Sequence, residues 1–173
     1  MAENNHTLSS PLDSVRIIAA PEHDPLLETQ AWVLEEDTFL VLSPPPATIK
    51  IPSESMVQIM IEAIDSLPVL PGSIVVKKGY PLRLLAVVHD LNHEPTWRVE
   101  WIGTAYQKLF KECDERRIHT VALPLLGTVH GSLDENIASE LLLHSLRQAS
   151  PLYLRTLQLI KPGKKEDQVY TME

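Results

Sequence analysis

The sequence has a single cysteine in 173 residues, Cys113. That excludes an intramolecular disulfide and any metal site built on clustered thiolates, and it fits a reducing, cytoplasmic setting. Positive charge is also scarce: 15 Lys and Arg stand against 23 Asp and Glu, for a formal charge of −8. A surface of that balance lacks the general attraction that draws proteins to a nucleic-acid backbone or an anionic membrane. The basic clusters are short, Lys77 with Lys78 and Lys161 with Lys164 and Lys165, and they read as solvated strand ends. No apolar run approaches the ~20 residues needed for a membrane-spanning helix. The opening MAENNHTLSSP has neither the basic nor the apolar region of a secretory signal.

What is present reads as one α/β domain. The chain is 44% hydrophobic, and its length suits a single core. Residues 1–12 are expected to be a flexible leader, 13–161 the domain, and 162–173 a frayed tail. Runs rich in β-branched and apolar residues predict strands over 15–19, 32–34, 39–43, 74–77, 84–89, 120–125 and 154–160. The stretches 84–88 and 121–126 are almost continuously apolar, as in strands covered on both faces. Helical stripes run through Met56, Val57, Met60, Ile61 and Ile64, through Val99, Ile102, Tyr106, Leu109, Phe110 and Cys113, and through Ala138, Leu141, Leu142, Leu146 and Ala149. Trp97 and Trp101 are expected four apart on the second helix. The third is expected to open on a capping box, Ser132-Leu133-Asp134-Glu135. The alternation of strands and helices implies a mixed, mostly parallel sheet with helices on both faces. In such sheets ligands sit beyond the carboxyl ends of the strands. That directs attention to residues 43–47, 89–97 and 127–132.

The turn Gly127-Thr128-Val129-His130-Gly131-Ser132 joins an apolar strand to a helix. Its glycines permit positive φ and close backbone approach, and a helix N-terminus offers unpaired N–H groups. Together these could hold a phosphate. The plainer reading is a βα turn that needs two glycines, and Asp134 and Glu135 place opposing negative charge at the helix start. His89-Asp90-Leu91-Asn92-His93-Glu94 superficially resembles a metal cluster. However, neighbouring strand residues point to opposite faces, so His89 and Asp90 are not expected to share an ion. No metal is expected. His89 reads as a hydrogen-bonded, partly buried histidine, and Asp90, Asn92 and His93 as loop residues capping the next helix. A hydrolase triad of Ser132, His130 and Asp134 lacks a Gly-x-Ser-x-Gly elbow, and Ser132 is better explained as a cap. Cys113 lies on an apolar helix face and reads as core.

The stretch Thr120-Val121-Ala122-Leu123-Pro124-Leu125-Leu126-Gly127-Thr128-Val129-His130-Gly131 resembles the second phosphate-binding loop of macro domains. Upstream, residues 71–82 resemble that family's strand before a hairpin, and Leu85-Ala86-Val87-Val88-His89 its Val-Ile-His strand. The likeness extends over residues 39–160. It implies a three-layer α/β/α sandwich that binds ADP-ribose or a related nucleotide, with some members removing ADP-ribose from proteins. It further implies that Gly127, Thr128, Val129, His130 and Gly131 wrap a diphosphate through backbone N–H groups, with His130 beside the distal ribose. The family's first loop carries Asn-Ala-Ala-Asn and then a run of glycines. Here the strand 39–43 would lead into Pro44-Pro45-Pro46-Ala47, with no Asn and no glycine run, and the triple proline has no backbone N–H donors. The family's Gly-Asp-Ile-Thr stretch, whose Asp reads adenine, has no counterpart before Phe39.

The resulting expectation is a divergent macro domain-like module. It binds ADP-ribose or another phosphorylated small molecule through Gly127, Thr128, Val129, His130, Gly131, Ser132, Ser43, His89 and Asp90, without a cofactor. The alternatives are a ligand-free interaction domain, such as a homodimer, and an ADP-ribosyl or other hydrolase. No catalytic residue is assigned.

Overall fold

The computed structural model describes residues 15–21, 29–42 and 67–161. In chain order the elements are β1 (Arg16–Pro21), β2 (Ala31–Asp37), β3 (Ile74–Lys77), β4 (Leu82–His89), α1 (Val99–Glu115), β5 (Thr120–Pro124), α2 (Glu135–Ala149) and β6 (Thr156–Lys161). The strands form one sheet in the order β1-β6-β5-β2-β4-β3. All neighbours are parallel except β3 and β4, an antiparallel hairpin. The expected mixed, mostly parallel sheet is therefore present. The leader, the tail, Ser43, the triple proline and the expected helix at 54–67 fall outside the described residues, Leu67 apart.

The two described helices, α1 and α2, cover one face of the sheet. Alternation along the strands places Ala31, Val33, Leu84, Ala86, Val88, Val121, Leu123 and Leu157 on that face. Helix α1 meets it with Ile102, Ala105, Tyr106, Leu109, Phe110 and Cys113, a spacing of three and four that keeps one stripe inward. Helix α2 adds Ala138, Leu142 and Leu146. Fully burying a large apolar side chain of this kind is worth about 1.5–3 kcal/mol, so this stripe fixes where α1 lies.

Three local expectations change. The predicted short strands at 32–34 and 39–43 are replaced by one strand, β2, with a turn after it. The strand runs on through Glu35-Glu36-Asp37, whose carboxylates accept from backbone donors. Asp37 accepts from the N–H groups of Phe39 (2.6 Å) and Val41 (3.1 Å), and Glu36 from that of Leu42 (3.0 Å). The cap of α2 is Asp134 rather than Ser132; one Asp134 oxygen accepts from Asn136 (2.9 Å) and Ile137 (3.3 Å). Trp97 precedes α1, bridged to His89 at the end of β4, so only Trp101 of the tryptophan pair is helical.

Candidate functional site

Parallel strands β2, β4 and β5 all end on one side of the sheet, and their carboxyl ends converge beneath the turn after Leu126. Two glycines shape that turn. Gly127 has φ +90°, and a Cβ there would stand 2.8 Å from Ile102 Cδ1 and 2.9 Å from Leu133 Cδ2. A Cβ on Gly131 would stand 2.5 Å from the Gly127 carbonyl oxygen, 2.6 Å from Trp97 Cδ1 and 3.1 Å from His89 Cε1. The loop therefore closes tightly on itself, on the indole and on the imidazole.

The donors of this loop fall into three groups. The N–H of Gly127 donates to Glu35 Oε2 (2.9 Å) and that of His130 to Glu35 Oε1 (3.1 Å). The concave side of the turn thus holds a carboxylate from the protein itself. The N–H of Leu126 donates to the Tyr106 hydroxyl (3.1 Å), and that of Thr128 to the carbonyl of Leu125 (3.2 Å). The N–H groups of Val129, Gly131 and Ser132 have no acceptor among the described residues. The side chains of Val129, His130 and Ser132 are exposed.

Below the loop lies His89, fully buried. Its Nε2 is hydrogen-bonded to Glu35 Oε1, and its Nδ1 to Thr96 Oγ1 at 2.8 Å. The register of β2 on β4 explains how the ring gets there. Glu36 pairs with Val87 and Asp37 with His89, so Val88 is bulged, and the bulge breaks the alternation that would have turned His89 away from Glu35. Burial pushes the Tyr106 phenol well above its ordinary value. The donor Leu126 N–H opposes this, and the charge of Glu35 adds to it.

The turn brings together Gly127, Thr128, Val129, His130, Gly131 and Ser132, with His89 beneath them; its ring lies 6.4 Å from that of His130. Asp90 is set apart. It braces its own turn, accepting from the N–H of Asn92 (3.0 Å) and facing His93 Nε2 at 3.3 Å. Neither Asp90 nor its neighbours cap α1, whose N-cap Arg98 makes no side-chain capping bond. Ser132, His130 and Asp134 make no hydrogen bond with one another, and Asp134 is committed to its helix. Among the described residues no group of three or more His, Cys, Asp or Glu side chains is placed to hold a metal ion. No described helix is long and apolar enough to cross a membrane. Sequence reasoning missed Glu35 and Thr96. The available signal was three consecutive carboxylates at the carboxyl end of an apolar run.

No protein-family model and no curated protein sequence matches the chain. Solved structures do. A macrodomain of Oceanobacillus iheyensis with MES bound superposes with a TM-score of 0.60 at 12% identity, over 83% of this chain and 81% of that one. A Trypanosoma brucei macrodomain in complex with ADP-ribose gives 0.60 at 15% identity, over 88% and 66%. The macrodomain of Mycobacterium tuberculosis DarG gives 0.57 at 15% identity, over 86% and 99%. Strand order, the single antiparallel pair and these superpositions agree: the chain has the fold of a macro domain.

Proposed function

We propose that this protein is a macro domain-like binding module whose ligand is ADP-ribose or a related phosphorylated small molecule. The ligand would sit over residues 127–132, at the carboxyl ends of β2, β4 and β5. The carrying observation is the row of N–H groups at Val129, Gly131 and Ser132 that have no acceptor among the described residues, beside the exposed His130. A hydrogen bond to a charged group contributes about 1.5–3 kcal/mol, so two or three such donors would outweigh the repulsion from exposed, solvent-screened Asp134 and Glu135. The Trypanosoma neighbour, solved with ADP-ribose, supports the same ligand class. Calorimetric titration with ADP-ribose, ADP and inorganic pyrophosphate tests this reading. Saturable heat with at least one of them is expected, and none with any of the three would overturn it.

One observation favours a second reading. The Glu35 carboxylate fills the concave side of the loop with an internal anion, as would suit a domain that kept the fold and exchanged its ligand for a protein partner. That reading expects no heat with nucleotides and a stable dimer by light scattering, burying Trp32, Trp97 or Trp101.

A further inference from the structure

The geometry points to a second activity beneath the loop: we propose that Thr96, His89 and Glu35 form a nucleophile–base–carboxylate relay able to cleave a carboxylic ester. Three elements meet to build it. Glu35 comes from β2, His89 from the end of β4, and Thr96 from the turn that leads to α1. The bonds run in one line, Thr96 Oγ1 to His89 Nδ1 at 2.8 Å and His89 Nε2 to Glu35 Oε1.

The direction of the protons follows from the donors around them. Glu35 Oε1 already accepts the N–H of His130, and Oε2 accepts that of Gly127. As a carboxylate it only accepts, so the Nε2 proton belongs to His89. In neutral imidazole the other nitrogen, Nδ1, is then an acceptor, and the partner hydroxyl of Thr96 donates to it. A hydroxyl donating to an imidazole that a buried carboxylate orients is the arrangement that activates a nucleophile.

An independent observation lies beside the relay. The indole Nε1 of Trp97 is buried and has no hydrogen-bond partner among the described residues. It is a donor on the residue that follows the nucleophile. The same indole and the His89 ring both press on Gly131, whose N–H also has no acceptor among the described residues. Unpaired donors held in a water-poor site stabilise the oxyanion of acyl transfer.

The reaction balances with water alone. Thr96 Oγ1 bonds to the ester carbonyl carbon while its proton moves to His89 Nδ1. The oxyanion forms against Trp97 Nε1–H. Collapse breaks the carbon–oxygen bond to the alcohol, which leaves with the proton from Nδ1. Water then attacks acyl-Thr96 and gives its proton to Nδ1. Thr96 Oγ1 departs, recovers that proton, and a carboxylic acid is released.

The test uses the full chain and p-nitrophenyl acetate, with acid quenching, intact mass and peptide mapping. Release of p-nitrophenolate above the buffer rate and an acetyl group on Thr96 are expected. Thr96→Val, close in shape, should abolish the adduct and lower the rate about a hundredfold or more, the scale of positioned general-base catalysis. Thr96→Ser should retain both. Glu35 acts through His89 and is a positioning residue. In Glu35→Gln the adduct should still form, slowly, with a rate that climbs with hydroxide instead of levelling off. Equal rates for wild type and Thr96→Val, or an adduct on another residue or on none, overturn the proposal. If Thr96→Val does not fold, as judged by circular dichroism, the wild-type adduct map decides alone. Nucleotide titration does not enter, so this inference and the binding reading fail independently.

Discussion

Replacing Glu35 by alanine is the sharpest test of how the site is held together. The side chain is almost fully buried and collects the N–H of Gly127, the N–H of His130 and Nε2 of His89. His130 is exposed, so water can replace the carboxylate at its N–H. Gly127 and the His89 ring are buried and have no such substitute. A buried donor left unpaired costs about 1–3 kcal/mol. Two of them give a loss of about 2–6 kcal/mol. Set against a usual domain stability of about 5–15 kcal/mol, Glu35→Ala should lose a large share of the fold's margin. Urea unfolding followed by tryptophan fluorescence would measure it, with the slope m confirming an unchanged unfolded state. Hydrogen exchange at the amides of Gly127 and His130 should accelerate in parallel. Glu135→Ala, at an exposed position, serves as control and should stay within about 0.5 kcal/mol of wild type. If Glu35→Ala is also that close to wild type, the account of the loop given above is wrong.

Two further outcomes follow from packing. Burial pushes the Cys113 thiol from its ordinary value near 9 up to about 12, with Asp114 and Glu112 adding to the shift. The thiol should therefore resist alkylation in the native protein and react in denaturant, as mass spectrometry would record. Between pH 9 and 12 the unfolded chain gives up this proton before the folded one does, so stability should fall by about 1.4 kcal/mol per pH unit, a segment that Cys113→Ala removes. Gly131→Ala forces a methyl to 2.5 Å from the Gly127 carbonyl oxygen, a backbone atom that cannot step aside. Overpacking of this kind costs about 1–3 kcal/mol, and each kilocalorie lowers Tm by about 2–4 °C in a chain of this size; an unchanged melting curve would refute the close packing.

Much of the architecture was legible because it rests on local chemistry. Apolar stripes at a spacing of three and four marked α1 and α2, and continuous apolar runs marked β4 and β5. The glycine pair marked the turn after β5, since few other residues accept its geometry. What misled was charge read without context. Glu35, Glu36 and Asp37 break an apolar pattern, so β2 was expected to end early. Its real end lies three residues later because the following turn supplies N–H groups to Glu36 and Asp37. Ser132 and Asp134 competed for one cap, and the choice depended on where the first helical turn began.

The sequence by itself determined which segments could be strand or helix, and that a tight, donor-bearing turn follows Leu126. Those properties depend on side-chain spacing and on backbone freedom within a few residues. Only the tertiary structure decided what the turn encloses. Glu35 and Gly127 are 92 residues apart, and His89 reaches the same carboxylate through a bulge that no local pattern announces. A buried carboxylate needs donors, and the loop offers them in its concave side. Which donors it found was settled by the sheet order that set β2 between β4 and β5.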